Sequence, residues 1–556
     1  MKFLLGAINA KYIHTSLAVR CLYRAVKDDF DAEMAEYTVN DSLLHISSSI
    51  YRKKPDVVAL GCYIWNYNTV RALCDSIKKA SPDTYIILGG PEVSYNPERV
   101  LGECCADAVV MGEGEITICE LFTALERGES LEGIEGVAFK DGNKVMVNVP
   151  RTPVECLDDL PFVYDGDTED YGSRILYYES SRGCPFSCSY CLSGEKGRVR
   201  YLSLDSVKKD LDYFVSHKVP LVKFVDRTFN ADRKRAREIF KFIIDNKGKT
   251  CFHMELAGDL LDDETIELLA SAPGGLMQFE IGVQTTNERT MEAINRKIRQ
   301  KPLFDNIRKL MNNGNIHIHL DLIAGLPYED IESFARSFNE VMELHPHVLQ
   351  LGFLKLLDGS AIRRDEAKYN YRYTDNAPYE VISNEFVSYD DILLLHDIEE
   401  VFERYYNSGD FSKALVKLTE LYNKDYFSLY RDIAEYFVRN GLFDLSLSKQ
   451  KLYSVLFEFC RQKDFDIKEF LKYDYIIANK CHSLPDWCRT YKDKSFEDCS
   501  YAVLKDEEFK KQNLPNYYDV PAKKAIKTVY FEKVFDKVLL FDYESGRVVD
   551  VSEYFG

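Results

Sequence analysis

Two stretches of this chain, 1 to about 140 and 173 to about 365, alternate short apolar runs with longer amphipathic ones, and few folds satisfy that rhythm. Short runs that are apolar throughout suit strands buried on both faces, and the amphipathic stretches suit the helices that cross between them. Both segments therefore predict parallel sheets flanked by helices. In the first, strands are expected at Lys2 to Ile8, Ala32 to Thr38, Val57 to Gly61, Tyr85 to Leu88 and Ala108 to Met111, with helices such as Thr15 to Val26, Asn68 to Ala80 and Glu115 to Glu126. This is the pattern of a doubly wound α/β domain. In the second, six strands are expected near Ile175 to Glu179, Val222 to Val225, Cys251 to Leu256, Met277 to Val283, His317 to Ile323 and Val348 to Leu354. Ligands of such sheets gather at the carboxyl ends of the strands.

At 556 residues the chain exceeds what one hydrophobic core holds. The pattern divides it into a first domain over 1–140, a linker over 141–172 broken by Pro150, Pro153 and Pro161, a second domain over 173–365 and a third over 366–556. The third is read as mostly helical, with helical periods at Tyr389 to Asn407, Phe411 to Tyr422, Ser428 to Asn440 and Ser446 to Arg461. A final alternating segment, Thr528 to Asp550, reads as a hairpin or two strands. A formal charge of -19 disfavours a surface that binds nucleic acid by phosphate attraction. No apolar run reaches the roughly 18 residues that span a bilayer. The opening Met-Lys-Phe-Leu-Leu-Gly lacks a signal-peptide architecture, so the chain reads as cytoplasmic with its cysteines reduced.

The chemistry concentrates in Ser180-Ser-Arg-Gly-Cys-Pro-Phe-Ser-Cys-Ser-Tyr-Cys-Leu192, where Cys184, Cys188 and Cys191 stand as C-x-x-x-C-x-x-C. A cubane iron–sulfur cluster takes four ligands, so three thiolates on one loop leave one iron open. A zinc knuckle would show paired C-x-x-C or Cys/His ligands, and nothing nearby completes such a set. Gly194 and Gly197 let the loop turn around a cluster. Cys460, Cys481, Cys488 and Cys499 are separated by 21, 7 and 11 residues, which is no compact ligand motif, and read as packing thiols.

On the cysteine triad, with Tyr190 before its last member, the second domain resembles the radical S-adenosylmethionine (SAM) superfamily, built on an open (β/α)6 partial TIM barrel. The resemblance implies one 4Fe-4S cluster on Cys184, Cys188 and Cys191. It also implies SAM chelated at the open iron and cleaved by one electron to a 5'-deoxyadenosyl radical. The strand-ending residues extend the likeness. Asp226-Arg-Thr-Phe229 resembles the Asp-Asp-x-Phe turn of one branch, Glu280 and Gln284 match a Glu/Gln pair close to SAM, and Asp321-Leu-Ile-Ala-Gly-Leu-Pro327 matches a turn beside its adenine. Glu255, Gln284, Glu280 and Asp226 are therefore the expected SAM-binding residues, with Arg296 or Lys297 a weaker candidate for the methionyl carboxylate. For Asp226 and Asp321, capping of the next helix is an equal reading.

The first domain is similar to the flavodoxin-like cobalamin-binding domain that precedes the radical SAM core in that branch. The likeness rests on Gly89-Gly90-Pro and Gly112-Glu113-Gly114-Glu, whose loops would face the corrinoid. His14 sits where the Asp-x-His-x-x-Gly motif of corrinoid methyltransferases places a cobalt ligand, but Tyr12 and Leu17 replace the Asp and Gly. With no carboxylate to orient the imidazole, His14 is expected to cap a helix or meet solvent. Trp65 reads equally as a corrinoid neighbour or a core residue. The third domain resembles a C-terminal extension carried by a subset of these proteins.

Together the resemblances imply a cobalamin-dependent radical SAM enzyme that methylates an unactivated carbon of a small molecule. Rearrangement, cyclisation or oxidoreduction without methyl transfer is the alternative. A flavodoxin or ferredoxin-type donor would reduce the cluster. A tRNA methylthiotransferase would need three further N-terminal cluster cysteines, and Cys21, Cys62 and Cys74 sit within helix or strand sequence instead. A non-catalytic sensor is opposed by the acids at the strand tips.

Overall fold

β1 (Lys2–Asn9) is buried along nearly its whole length and apolar on both faces, so it belongs at the centre of a helix-covered parallel sheet. It lies between β2 (Asp31–Thr38) and β3 (Val57–Gly61); β4 (Tyr85–Gly89) and β5 (Ala108–Val110) follow. β6 (Val137–Asp141) and β7 (Lys144–Val147) add antiparallel at the edge. The order β2-β1-β3-β4-β5 is the doubly wound, flavodoxin-type order. On one face Leu4, Val58 and Ile86 pack with Ile46, Val70 and Leu73 of the helices Leu43–Lys53 and Tyr67–Ala80. On the other, Phe3, Leu5 and Ile87 pack with Val19, Ile118 and Phe122 of the helices Leu17–Val26 and Glu115–Arg127. The winding reverses between β1 and β3, so the loops after these strands open into one crevice. The β6–β7 hairpin has no counterpart among the expected strands, and β7 falls where a linker was expected. An antiparallel edge with a solvent-facing side carries no continuous apolar run to reveal it.

This computed structural model describes residues 1–166, 171–194, 198–246 and 248–556, which form two units, Met1–Ile392 and Leu393–Gly556. Within the first unit a second sheet begins at β8 (Ile175–Tyr178), beyond which β9 (Ser181–Arg182) pairs antiparallel with β10 (Arg200–Tyr201). The sheet continues with β11 (Leu221–Phe224), β12 (Cys251–Leu256), β13 (Met277–Gln284), β14 (His317–Ala324) and β15 (Val348–Phe353), in the order β8-β11-β12-β13-β14-β15 and all parallel. This is the expected open six-stranded barrel. Alternate residues of β13 and β14 are fully buried, and Phe279 meets Phe240 on the outer helix Arg233–Asn246. The intervening Glu280, Gln284, His319 and Asp321 therefore occupy the inner face. Register places Glu255 beside Glu280, Glu280 beside His319 and Gly282 beside Asp321, so polar groups of three strands converge.

Residues after β15 stay in the first unit up to Ile392. Leu356, Tyr369, Tyr371 and Val381, with the pair β16 (Arg372–Tyr373) and β17 (Val381–Ser383), pack against Ile294, Leu326 and Tyr190. The second unit is mostly helical, with the helices Ser412–Leu421, Tyr426–Arg439, Lys449–Gln462 and Lys468–Asn479. It ends in an antiparallel sheet of β18 (Val529–Val534), β19 (Lys537–Asp542) and β20 (Val548–Asp550), one strand more than the expected hairpin. Glu532 is buried there between Lys472 and Lys492, each at 2.8 Å. Among the described residues no helix is long and apolar enough to cross a membrane.

Candidate active site

The cysteine loop is built from both ends. Gly183 adopts φ +104°, and a Cβ there would run into the Arg198 carbonyl, so only glycine fits before Cys184. Buried Asp226, at the end of β11, accepts from the Ser180 amide (2.8 Å), the Ser180 hydroxyl (2.7 Å) and the Ser181 hydroxyl (2.5 Å). Its carboxylate is thus spent on the strand that enters the loop, which differs from the expected place against SAM. From the opposite side Arg296 donates to the Tyr190 hydroxyl (2.9 Å) and to the Gly282 carbonyl, and its Nη1 lies 3.8 Å from Cys188 Sγ. Arg296 therefore braces the loop. Gly194 ends a short 3-10 turn, Leu192–Gly194, while Gly197 lies outside the described residues.

Cys184 and Cys188 are buried, Cys191 is half-buried, and all three are free thiols. Among the described residues no three His, Cys, Asp or Glu side chains converge as ligands of a single ion must. In a cubane each thiolate binds its own iron, so three spaced thiols on one braced loop suit that cluster. The donor set fits it. Gly183→Ala is expected to displace the loop, at about 1–3 kcal/mol of backbone strain, and to lower sharply the iron and sulfide retained on reconstitution. Wild-type iron content in that variant would contradict this geometry.

A cavity of about 930 Å³ lies between the carboxyl ends of the two sheets, at the upper end of ligand-site sizes. Gly89, Gly90, Gly112, Glu113 and Gly114 line it from the first sheet, and Cys191, Tyr190, Lys223 and Glu255 from the second. Gly90 has φ +113°, and a Cβ there would stand 2.5 Å from the Cys62 carbonyl oxygen; the loop can take this path only with glycine. Trp65 stacks on Tyr63 with ring centres 4.4 Å apart and faces the cavity.

Two expectations need correction here. His14 does not cap the helix Leu17–Val26, because Ser16 does; it lines the cavity, with Nδ1 2.7 Å from the Tyr177 hydroxyl. Burial first, then the Lys11 and Lys223 charges, lower its pKa. The Glu113 carboxylate is engaged by Arg200, the Val154 amide (3.0 Å) and Arg182 (3.4 Å), so its side chain turns toward the cysteine-bearing domain. Arg182, two residues before Cys184, also pairs with Glu115 (2.5 Å) and Glu179 (2.7 Å). Sequence reasoning missed this bridge, although an arginine beside the triad facing a Glu-x-Glu loop was a readable signal.

The expected SAM residues divide in the same way. Burial pushes the Glu280 carboxyl up, but the hydrogen bond from His253 (3.1 Å) and the Lys223 ammonium (3.0 Å) outweigh it and hold it down to about 2. Glu280 is thus committed to protein partners. Glu255 lines the cavity, and burial first, then the Glu280 charge, raises its pKa. Gln284 holds φ +71° with a buried Oε1 that has no partner, and buried Asp321 Oδ1 has none either. An orphaned buried acceptor costs about 1–3 kcal/mol, and neither Gln284 nor Asp321 is among the residues that line the cavity. Lys297 is exposed and Arg296 is already engaged.

Asp321 also yields a pH prediction. Burial, then the Glu280 and Glu255 charges, raise its carboxyl from 3.8 to about 7. A raised folded-state pKa means that its stabilising contribution is complete below the unfolded value and is lost as pH rises through about 7. Asp321→Asn is therefore expected to gain stability relative to wild type as pH climbs from about 4 to about 7. Denaturant midpoints that shift in parallel across that range would refute the assignment.

Three family models match the chain: the B12 binding domain over residues 4–122, the Radical SAM superfamily over 178–341, and a protein of unknown function (DUF4080) over 367–549. With the barrel and cysteine loop described above, the chain belongs to the radical SAM superfamily. More narrowly, it is of the cobalamin-binding type, with a DUF4080 region that starts within the first structural unit. It is similar to an uncharacterized methyltransferase of Pyrococcus horikoshii, 26% identical over 330 residues that span 57% of this chain and 70% of the relative. It is 27% identical to the cobalamin-dependent radical SAM methyltransferase TokK of Streptomyces tokunonensis over 326 residues, 54% of this chain. The alignment spans 47% of TokK, about half its length. In fold it is similar to the cobalamin-dependent S-adenosylmethionine radical enzyme OxsB, with a TM-score of 0.58 at 15% identity, covering 86% of this chain and 79% of that one.

Proposed function

We propose that this chain is a cobalamin-dependent radical SAM enzyme that transfers a methyl group to an unactivated carbon of a small molecule. One observation carries the reading: a single cavity has the glycine loops of the B12 binding domain on one side and Cys191, Tyr190 and Glu255 on the other. Bound there, the cluster on Cys184, Cys188 and Cys191 supplies the electron that cleaves SAM, and the corrinoid carries the methyl group. The remaining tasks fall to side chains. Gly89, Gly90, Gly112 and Gly114 let backbone approach the corrinoid closely. Glu255, at the end of β12, lines the cavity and offers a carboxylate to the SAM ammonium or hydroxyls, while Gln284 and Asp321 hold unpartnered acceptors buried behind it. Asp226, Glu280 and Arg296 act one step back: Asp226 and Arg296 hold the cysteine loop, and Glu280 holds Lys223 and His253.

The reducing electron would come from a flavodoxin or ferredoxin-type donor, and a cytoplasmic location fits an oxygen-sensitive cluster. Methyl transfer consumes one SAM as methyl donor and one as radical source. Anaerobically reconstituted enzyme turning over its substrate is therefore expected to form S-adenosylhomocysteine and 5'-deoxyadenosine in about equal amounts. 5'-Deoxyadenosine without S-adenosylhomocysteine would replace this reading with radical rearrangement, cyclisation or oxidoreduction. Failure to bind a corrinoid would refute it outright.

A further inference from the structure

The charged side chains around the cavity are almost all paired with protein. Arg182 is held by Glu179, Glu115 and Glu113, and Lys223 by Glu280. Among the acids, Glu92 accepts from Tyr379, and Asp358 pairs with Arg99 (2.8 Å) and Arg363 (3.2 Å). Arg227 is the exception among the cations: it lines the cavity, is exposed, and its guanidinium makes no hydrogen bond or ion pair with any described residue. It follows Asp226 immediately, and that residue's three hydrogen bonds fix the turn that presents it.

Its position is informative as well. The cavity that Arg227 lines is shared by Tyr63, just beyond β3 in the B12 binding domain, and by Glu255, at the end of β12 in the barrel, a carboxylate that also makes no hydrogen bond or ion pair with a described residue. It therefore stands at the seam of the two domains, where a substrate must lie to meet both cofactors. A guanidinium offers a rigid planar fork of donors that matches a carboxylate or phosphate with two parallel bonds. The exposed guanidinium makes neither bond within the described protein, so its fork is free to take an anion.

We propose that Arg227 is the recognition group for an anionic substrate, one that presents a carboxylate or phosphate at the seam of the cavity. The inference rests on the functional reading above and narrows its substrate class. Arg227→Asp would then exclude such substrates, and Arg227→Lys would keep the charge but lose the two-point grip.

The test uses the full chain carrying its cluster and cob(II)alamin, with inorganic phosphate as the probe and SAM present at saturation. Paramagnetic cobalt broadens the phosphorus resonance of any phosphate held nearby. The wild type is expected to show saturable broadening, Arg227→Gln to weaken it roughly tenfold or more, and Arg227→Lys to retain part of it. Affinities for SAM and for cobalamin should stay within about threefold in both variants. Non-saturable broadening in the wild type overturns the proposal. So does a loss in the variants that falls on SAM or on cobalamin, because the guanidinium would then hold the methionyl carboxylate or the corrinoid's own phosphate. Wild-type protein that takes up no cobalamin sinks the functional reading itself, whereas uptake without saturable phosphate sinks the Arg227 inference alone.

Discussion

Cys188→Ala is expected to abolish cluster assembly and all reductive SAM cleavage while corrinoid affinity stays within about threefold of wild type. The thiol of Cys188 is buried, and its nearest support is Arg296, which braces the same loop through the Tyr190 hydroxyl. Loss of a supporting group around a metal commonly costs about 10–100-fold in affinity, and loss of a ligand itself exceeds that. The corrinoid side is built independently, from the ends of β1, β3, β4 and β5 over two apolar cores of their own. Cys188 does not line the cavity, so its removal leaves that surface intact. Iron and sulfide analysis, 5'-deoxyadenosine release under reductant and a cobalamin titration read the three quantities separately. Retention of a full cluster in the variant would remove Cys188 from the ligand set. Simultaneous loss of cobalamin would show that the two binding surfaces fold as one.

How much of this was legible in the sequence depends on what kind of interaction each residue makes. Strands and helices of both sheets were readable because parallel strands are apolar on both faces; β12 (Cys251–Leu256) falls where expected, and β1 extends one residue beyond its predicted end. The cysteine loop was readable because ligand spacing is local. Residues committed to long-range polar partners were not. Asp226 and Glu280 have the residue types of SAM ligands, yet the first is consumed by Ser180 and Ser181 and the second by Lys223 and His253. His14 looked like a surface loop residue, and only the pairing of its bridge to Ile175 with the Tyr177 hydroxyl brings it into the cavity. Gln284 and Asp321 stand out only once burial is known, since an unpaired acceptor is invisible in a string of letters. Arg227 likewise becomes distinct only when the other cations around the cavity, Arg182 and Lys223, have been matched with their partners.

The second large effect is expected at Arg182, which ties the cysteine loop to the β5 loop of the B12 binding domain. Its guanidinium serves Glu179 from its own loop, and Glu115 and Glu113 from the other domain, while Arg200 shares Glu113. Arg182→Met removes the cation and leaves neighbouring carboxylates facing one another. Breaking a buried pair on one side costs about 3–5 kcal/mol; with Arg182 and Glu115 still 15% and 10% exposed, the lower end of that range applies. Carboxylates stripped of their cation have raised pKa values, so their contribution to stability is lost as pH rises. The deficit of the variant should therefore widen as pH rises. Arg182→Met with Glu115→Gln should recover part of the loss, because the second change removes a charge that the first left unpaired. The bridge also fixes the spacing between the two cofactor surfaces, and a shift of about 1 Å can cost roughly a hundredfold in a positioned reaction. Arg182→Met that remains folded is accordingly expected to cleave SAM while forming less S-adenosylhomocysteine per 5'-deoxyadenosine than wild type. A variant that is both as stable as wild type at about pH 8 and unchanged in product ratio would show that the two loops are positioned without this arginine.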